Sequence, residues 1–359
     1  MHLLTGSEAQ AALLSTFSEV SHGSTHTRAY FEGVKPEKKV AIVRSVDGKV
    51  VSEIAYDYLI ICTGVPYISP IRASRASINF QDRVLEIDMH EKKFHQSNKV
   101  VVVGGGLVGV ELAAELVSRR KSSGGMPKEV LLLSRSTLLG AMPIKAGDIA
   151  KSWLSKHGVE LLLGEEIANI YPSSATSVAA AKANRQTIYT KSRRMIEDID
   201  VIVDCTNKRS DQDMAIHSKG VPKENVVWPY NDKGFVEVND SLQSTWDPSI
   251  FAAGDVIELC SGVGLAATTQ ASGTYGTKSR LSAVRNAHLA ESQAELVAEN
   301  ILRLRQGQRS NSYVQLKTYP QTPFYGSNVA PLLACVSLGP HNGIGNNVKV
   351  HPISLNHSI

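Results

Sequence analysis

The residues best suited to chemistry lie in one run, Gly104-Gly105-Gly106-Leu107-Val108-Gly109, directly behind the valines Val100–Val103. The spacing is G-x-G-x-x-G between an apolar strand and a helix, the context in which such glycines cradle a dinucleotide pyrophosphate. Gly104 permits a tight turn, Gly106 leaves room for phosphate against the backbone, and Gly109 lets the helix pack close to the strand. On that helix Leu112 and Leu116 share a face, and Glu115 stands one turn before Arg119. Its free N–H groups and dipole would hold the anion. The alternative is a glycine-rich turn that merely packs; the strand-turn-helix context favours dinucleotide binding.

A carboxylate that accepts from the adenosine ribose would close the second strand, where this chain has Ser134-Arg135. A missing acid beside an arginine favours a 2′-phosphate, hence NADPH at least as well as NADH, although an exposed Arg after a strand is also common. Glu111, expected on the first turn of the glycine helix, needs no more than the helix dipole to explain it. Phe251-Ala252-Ala253-Gly254-Asp255 is a short apolar strand ending in Gly-Asp. Its Gly254 would let a ligand approach, and Asp255 could accept from sugar or ribityl hydroxyls.

The elements that must position these residues follow from pattern. Lys39–Arg44 and Val50–Ser52, separated by Asp47-Gly48, read as a hairpin. Tyr56–Cys62 reads as a buried strand ending at Thr63-Gly64. Residues 65–98 read as a polar connection. Further strands are expected at Glu129–Leu133, Val159–Leu163, Asp200–Asp204, Phe235–Val238, Ile250–Ala253 and Leu332–Leu338, and helices at Ser7–Phe17, Ala146–His157 and His288–Arg305. Ser173–Arg194 reads as a meander and residues 261–284 as a loop.

Composition narrows the class. The chain has 359 residues, 42% hydrophobic and 20% charged, which excludes wholesale disorder. A net charge of +4 spread along the chain argues against a nucleic-acid partner. The longest apolar runs are strand length, far short of a membrane span. The four cysteines lie far apart with no C-x-x-C pair, which argues against a zinc site or a dithiol centre of that kind. No metal site is expected. The N-terminus lacks a secretory pattern, so a cytoplasmic protein is expected, peripheral to a membrane or organelle only in some longer form.

Taken in order, Ile60–Gly64, Val103–Glu111 and Ile250–Asp255 resemble the motifs of two-dinucleotide flavoproteins of the pyridine nucleotide-disulfide oxidoreductase superfamily. More narrowly, the chain resembles the apoptosis-inducing-factor-like, ferroptosis-suppressor-type NAD(P)H oxidoreductases, relatives of type II NADH dehydrogenases. Asp148–Ile167, Asn286–Ile301 and Cys335–Gly339 carry that narrower likeness, which covers roughly residues 38–345.

The resemblance implies an α/β fold of two doubly wound, Rossmann-like domains, the first incomplete, with a remnant of a C-terminal α+β domain. The segments are 1–97 and 208–305 for FAD, 98–207 for NAD(P)H, and 306–359 for the C-terminal remnant. It implies that Gly104, Gly106 and Gly109 hold the NAD(P)H pyrophosphate and that Glu111 lies beside the nicotinamide ribose or carboxamide. Gly105, Ser134 and Arg135 complete that site. Thr63 and Gly64 would turn against FAD, Asp255 beside Gly254 would bind its ribityl and phosphate region, and the helix from Ala287 would point at the flavin. His288, in its first turn, is either a flavin neighbour or structural. The implied reaction is hydride transfer from NAD(P)H to FAD, then electrons to a quinone-like acceptor. The competing reading is a non-catalytic NAD(P)H-binding protein that has lost its flavin site.

Three departures from the family pattern stand out. Nothing in Met1–Val40 resembles its opening strand–G-x-G-x-x-G–helix. Asn207 replaces a glycine after Asp204-Cys205-Thr206, and the C-terminal domain stops after about one strand. The chain therefore reads as a version of the fold truncated at both ends.

Overall fold

The computed structural model describes residues 24–25, 27–65, 67–74, 76–119, 127, 129–140, 142, 144–172, 185–206, 226–260, 287–319, 335–339 and 342–345. The expected helix Ser7–Phe17, the loop 261–284 and Asn207 lie outside them.

The chain opens with strands β1 (Ala29–Lys35), β2 (Val40–Ser45), β3 (Val51–Ala55) and β4 (Leu59–Ile61), then helix α1 (Phe80–Gln96). Next come β5 (Lys99–Val103), α2 (Leu107–Arg119), β6 (Glu129–Ser134), α3 (Ile144–Lys156) and β7 (Val159–Leu163). Strands β8 (Ile167–Pro172), β9 (Gln186–Thr190), β10 (Met195–Ile199) and β11 (Val201–Asp204) follow. The remainder is β12 (Val236–Val238), β13 (Ile250–Ala252), β14 (Ile257–Leu259), α4 (Ala287–Ser310), β15 (Cys335–Ser337) and β16 (Gly343–Gly345).

These elements gather into two compact units, one of residues 1–24, 66–208 and 333–359, the other of 25–65 and 209–332. Residues 66–97 cluster with the glycine motif.

The first unit is a doubly wound α/β layer. Its parallel sheet runs β11-β5-β6-β7, so β5 lies in the interior with the glycines at its carboxyl end. The valines of β5 are buried on both faces, as a covered parallel sheet demands. Val101 and Val103 pack with Leu131, Leu133 and the meander residues Ile188, Ile196 and Ile199. Alternate positions Val100 and Val102 turn the other way. Of the expected meander Ser173–Arg194, residues 186–190 are instead regular strand, β9, in the antiparallel sheet β8-β9-β10, and residues 173–184 lie outside the described ones.

The stretch expected as a polar connection instead carries α1. The periodicity was weak because an acid, Glu86, occupies its inner face with Ile87 and Phe94, while Leu85 and Met89 are exposed. A capping box starts it: Asn79 accepts from the Asp82 N–H at 2.8 Å, and Asp82 accepts from the Asn79 N–H at 3.0 Å.

The second unit joins β1-β2-β3, antiparallel as the Asp47-Gly48 turn required, to the parallel pairs β4-β13 and β12-β14. Its core gathers Val34, Ile61, Val236, Leu242, Ile250, Phe251 and Val297 of α4. Strand β4 is shorter than the expected Tyr56–Cys62 and half-open, since Ile60 is 45% exposed.

Candidate functional site

The glycine turn shows why each glycine is there. Gly104 has φ +113°, and a Cβ on it would come within 3.0 Å of the Cys205 backbone, because the end of β11 passes directly behind. A Cβ on Gly105 would meet Ser134 Oγ at 2.6 Å, and one on Gly109 would meet the Gly104 carbonyl oxygen at 1.9 Å. The fold's own packing therefore excludes side chains at these positions. Gly106 differs: a Cβ there meets nothing within 4 Å. It opens outward at the start of α2, where the first N–H groups of the helix have no partner within the helix. A clear approach, unpaired donors and the positive end of a helix dipole fit a pyrophosphate.

The loop after β6 braces this turn. The Leu139 N–H donates to the Gly105 carbonyl at 2.8 Å from a left-handed backbone (φ +51°), and Leu138 and Leu139 are buried. Ser134 is buried against Gly105, with its Oγ accepting from the Ser136 N–H at 3.4 Å. Ser134 therefore fills space beneath the turn. Arg135 is exposed.

Glu111 lies one turn deeper in α2 than expected. The helix begins at Leu107 and its first turn carries no acid, so the dipole explanation fails for Glu111, because that effect fades within the first turn. Its Oε1 instead accepts from the Ser337 backbone N–H at 2.9 Å. Burial pushes its carboxyl upward and the Ser337 N–H pulls against that, while Glu115 adds to the rise. The expected Glu115–Arg119 pair is present at 3.6 Å.

The cysteine behind the glycine turn has no free thiolate to offer. Burial, helped by Asp204, pushes the Cys205 thiol up to about 12. All four cysteines are free.

In the second unit, Thr63, Gly64, Gly254, Asp255 and Ala287 come from three separate segments. Parallel pairing of Leu59–Ile61 with Ile250–Ala252, extended by the Ala253 N–H to the Ile61 carbonyl at 3.2 Å, brings Thr63-Gly64 and Gly254-Asp255 to the same sheet edge. Gly64 (φ +66°) has nothing within 4 Å of an added Cβ, and Thr63 shares a hydrogen bond with the Tyr230 hydroxyl at 3.1 Å. Gly254 (φ +79°) sits against Ala290, so the first turns of α4, which starts at exposed Ala287, pack on the Gly-Asp turn. Asp255 is half-buried in the short 3-10 turn there. The side chain of His288 lies outside the described residues.

Sequence reasoning missed Gln293. It is 2% exposed, accepts from the Gly254 N–H at 2.7 Å, and hydrogen-bonds the Tyr319 hydroxyl. Its signal was available: an amide on the apolar face, four residues after Leu289 and three before Leu296. Asn300, one heptad on and fully buried, repeats the device by bonding the Ser241 carbonyl and both backbone groups of Lys317. The Gly254 N–H of the Gly-Asp turn is thus fixed from within, leaving Gly64 and the α4 start open, an arrangement that fits a second nucleotide.

Known proteins resemble this chain over part of its length. The chain is 27% identical over 205 residues to the nitric oxide reductase FlRd-NAD(+) reductase of Klebsiella pneumoniae (strain 342), covering 57% of this chain and 47% of that protein. To ferroptosis suppressor protein 1 of Taeniopygia guttata it is 24% identical over 249 residues, 67% of this chain and 59% of the relative. The chain thus spans about half the length of the curated relatives it matches. The solved structure of the water-forming NADH oxidase from Lactobacillus brevis bound to NADH aligns at TM-score 0.42 with 23% identity, covering 63% of this chain and 45% of that one. The pyridine nucleotide-disulphide oxidoreductase model matches residues 3–293, and the chain belongs to that family.

Proposed function

We propose that this chain takes hydride from NAD(P)H onto FAD and passes the electrons to a quinone-like acceptor. Family membership implies both cofactors. The observation that carries the reading is the glycine turn, where packing explains Gly104, Gly105 and Gly109 and the side of Gly106 is left open for a ligand. The helix α2 N–H groups would hold the NAD(P)H pyrophosphate, Arg135 would reach a 2′-phosphate, and Glu111 would orient the nicotinamide. Thr63, Gly64, Gly254 and Asp255 would hold FAD, and the positive end of α4 would favour negative charge beside it. When bound, FAD would supply the hydride acceptance that no side chain offers. A quinone-like acceptor suits a chain whose four cysteines include no C-x-x-C dithiol to relay electrons to a disulfide.

The test is the visible spectrum of the purified full chain under anaerobic conditions. A flavin band that bleaches with NADPH or NADH and returns on adding a short-chain quinone supports the reading. A colourless protein that still binds NAD(P)H would replace it with a nucleotide-binding role without flavin chemistry. A bleached band that a quinone leaves unchanged would overturn the acceptor assignment alone.

A further inference from the structure

Glu111 receives its hydrogen bond from 226 residues along the chain, and the donor is a backbone amide. Among the described residues strand β15 pairs with β16 alone, and on its other edge the Ser337 N–H is spent on Glu111 of α2. The same segment touches α2 a second time. A Cβ on Gly339 (φ +79°) would meet Ser118 Oγ at 2.1 Å and the Trp153 ring at 3.7 Å, so the chain after β15 lies between α2 and α3. Glu111 and Ser118 are seven residues apart and share one face of the helix. Buried Val336, Leu338 and Ile344 hold the hairpin down. Its backbone therefore follows α2 closely at the acid and two turns beyond.

We propose that the β15-β16 hairpin is a positioning element of the nucleotide site, in which the Ser337 N–H fixes the rotamer of Glu111 and thereby sets how the acid meets the nicotinamide end of NAD(P)H. This rests on the reading of Glu111 given above. One carboxylate oxygen is tied to the hairpin, so the direction in which the group offers its remaining lone pairs to a ligand is one the hairpin chooses. The hairpin thus contributes to nucleotide geometry through a backbone amide.

The experiment compares calorimetric affinities of the full chain for NADH and for ADP-ribose, which lacks the nicotinamide. Ser337→Pro removes the donor, and an amide-to-ester replacement at Ser337 removes it without changing shape. Gly339→Ala pushes the segment off α2, and adding Ser118→Gly returns part of the space. The proposal expects Glu111→Ala to weaken NADH about tenfold with ADP-ribose unmoved, the loss of one hydrogen bond to a charged group. It expects both Ser337 changes to weaken NADH several-fold, again sparing ADP-ribose, and Ser118→Gly to restore part of the Gly339→Ala loss. Equal losses for both ligands, or an unchanged ratio in folded Ser337 variants while Glu111→Ala moves it, would overturn the hairpin's role and leave Glu111's intact. A ratio that Glu111→Ala leaves unmoved would overturn both.

Discussion

Two glycine turns at the carboxyl ends of parallel strands serve the two units, and they are built in opposite ways. The turn after β5 is made almost wholly from one run, Lys99–Arg119, in which strand, turn and helix are consecutive. The turn after β13 gathers Thr63-Gly64, Gly254-Asp255 and the start of α4, and a buried amide from a distant helix, Gln293, secures it. In the first, Gly104 and Gly109 are demanded by backbone against backbone, as the 1.9 Å approach at Gly109 shows. In the second, a Cβ on Gly254 would touch only Ala290 Cβ at 3.6 Å, and the glycine is demanded by its φ of +79°. A local turn can be tight because its parts arrive together, whereas a composite one leaves slack and relies on side chains to close.

The largest expected effect follows from that contrast. Gly109→Ala should cost about 3 kcal/mol or more, since neither Gly104 nor the helix can yield, while Gly254→Ala should cost about 1–2 kcal/mol of left-handed strain. Denaturant melts of both variants measure the difference. Equal losses would mean that the first turn is no tighter than the second.

Acid should weaken the anchoring of helix α1. Burial raises the Glu86 carboxyl, but hydrogen bonds from Ser77, Ser69, Arg83 and the Ser74 N–H outweigh it and hold the group at about 2, from an ordinary 4.5. A folded-state value below the unfolded one contributes stability that is complete above pH 4.5 and is lost as pH falls toward 2, on the order of 3 kcal/mol in all. Glu86→Gln should remove that pH dependence from the hydrogen-exchange protection of α1. If protection in α1 falls with pH equally in the variant, the network does not hold the segment.

The smallest effect sharpens the nucleotide assignment. Arg135→Ala should weaken NADPH about tenfold and leave NADH unchanged, the lower end for a charge-assisted contact at an exposed site. Equal affinities for both nucleotides, unmoved by the mutation, would show that the 2′-phosphate is not read at Arg135.

How much of this was legible in the sequence depends on the distance between partners. The β5 valines, the glycine spacing and the Glu115–Arg119 pair are local, and each stands where its pattern put it. Helix α1 escaped because its inner face carries Glu86, whose partners Ser69, Ser74 and Ser77 look like loop residues until they converge on one carboxylate. Glu111 was misplaced by a turn because its explanation is a backbone amide in β15, which has no side-chain signature. Gln293 was visible as a polar interruption of an apolar stripe, but its partner, the Gly254 N–H, was not.

The central claim is that the open side of Gly106 is the pyrophosphate's place, and Gly106→Ala tests it most directly. The protein offers no obstacle to that methyl group within 4 Å, so the variant should melt within a few degrees of the parent. Calorimetric titration with ADP-ribose should nevertheless show a loss of about tenfold or more, because the methyl occupies the ligand's side of the turn. An unchanged affinity in a folded Gly106→Ala protein would contradict the account.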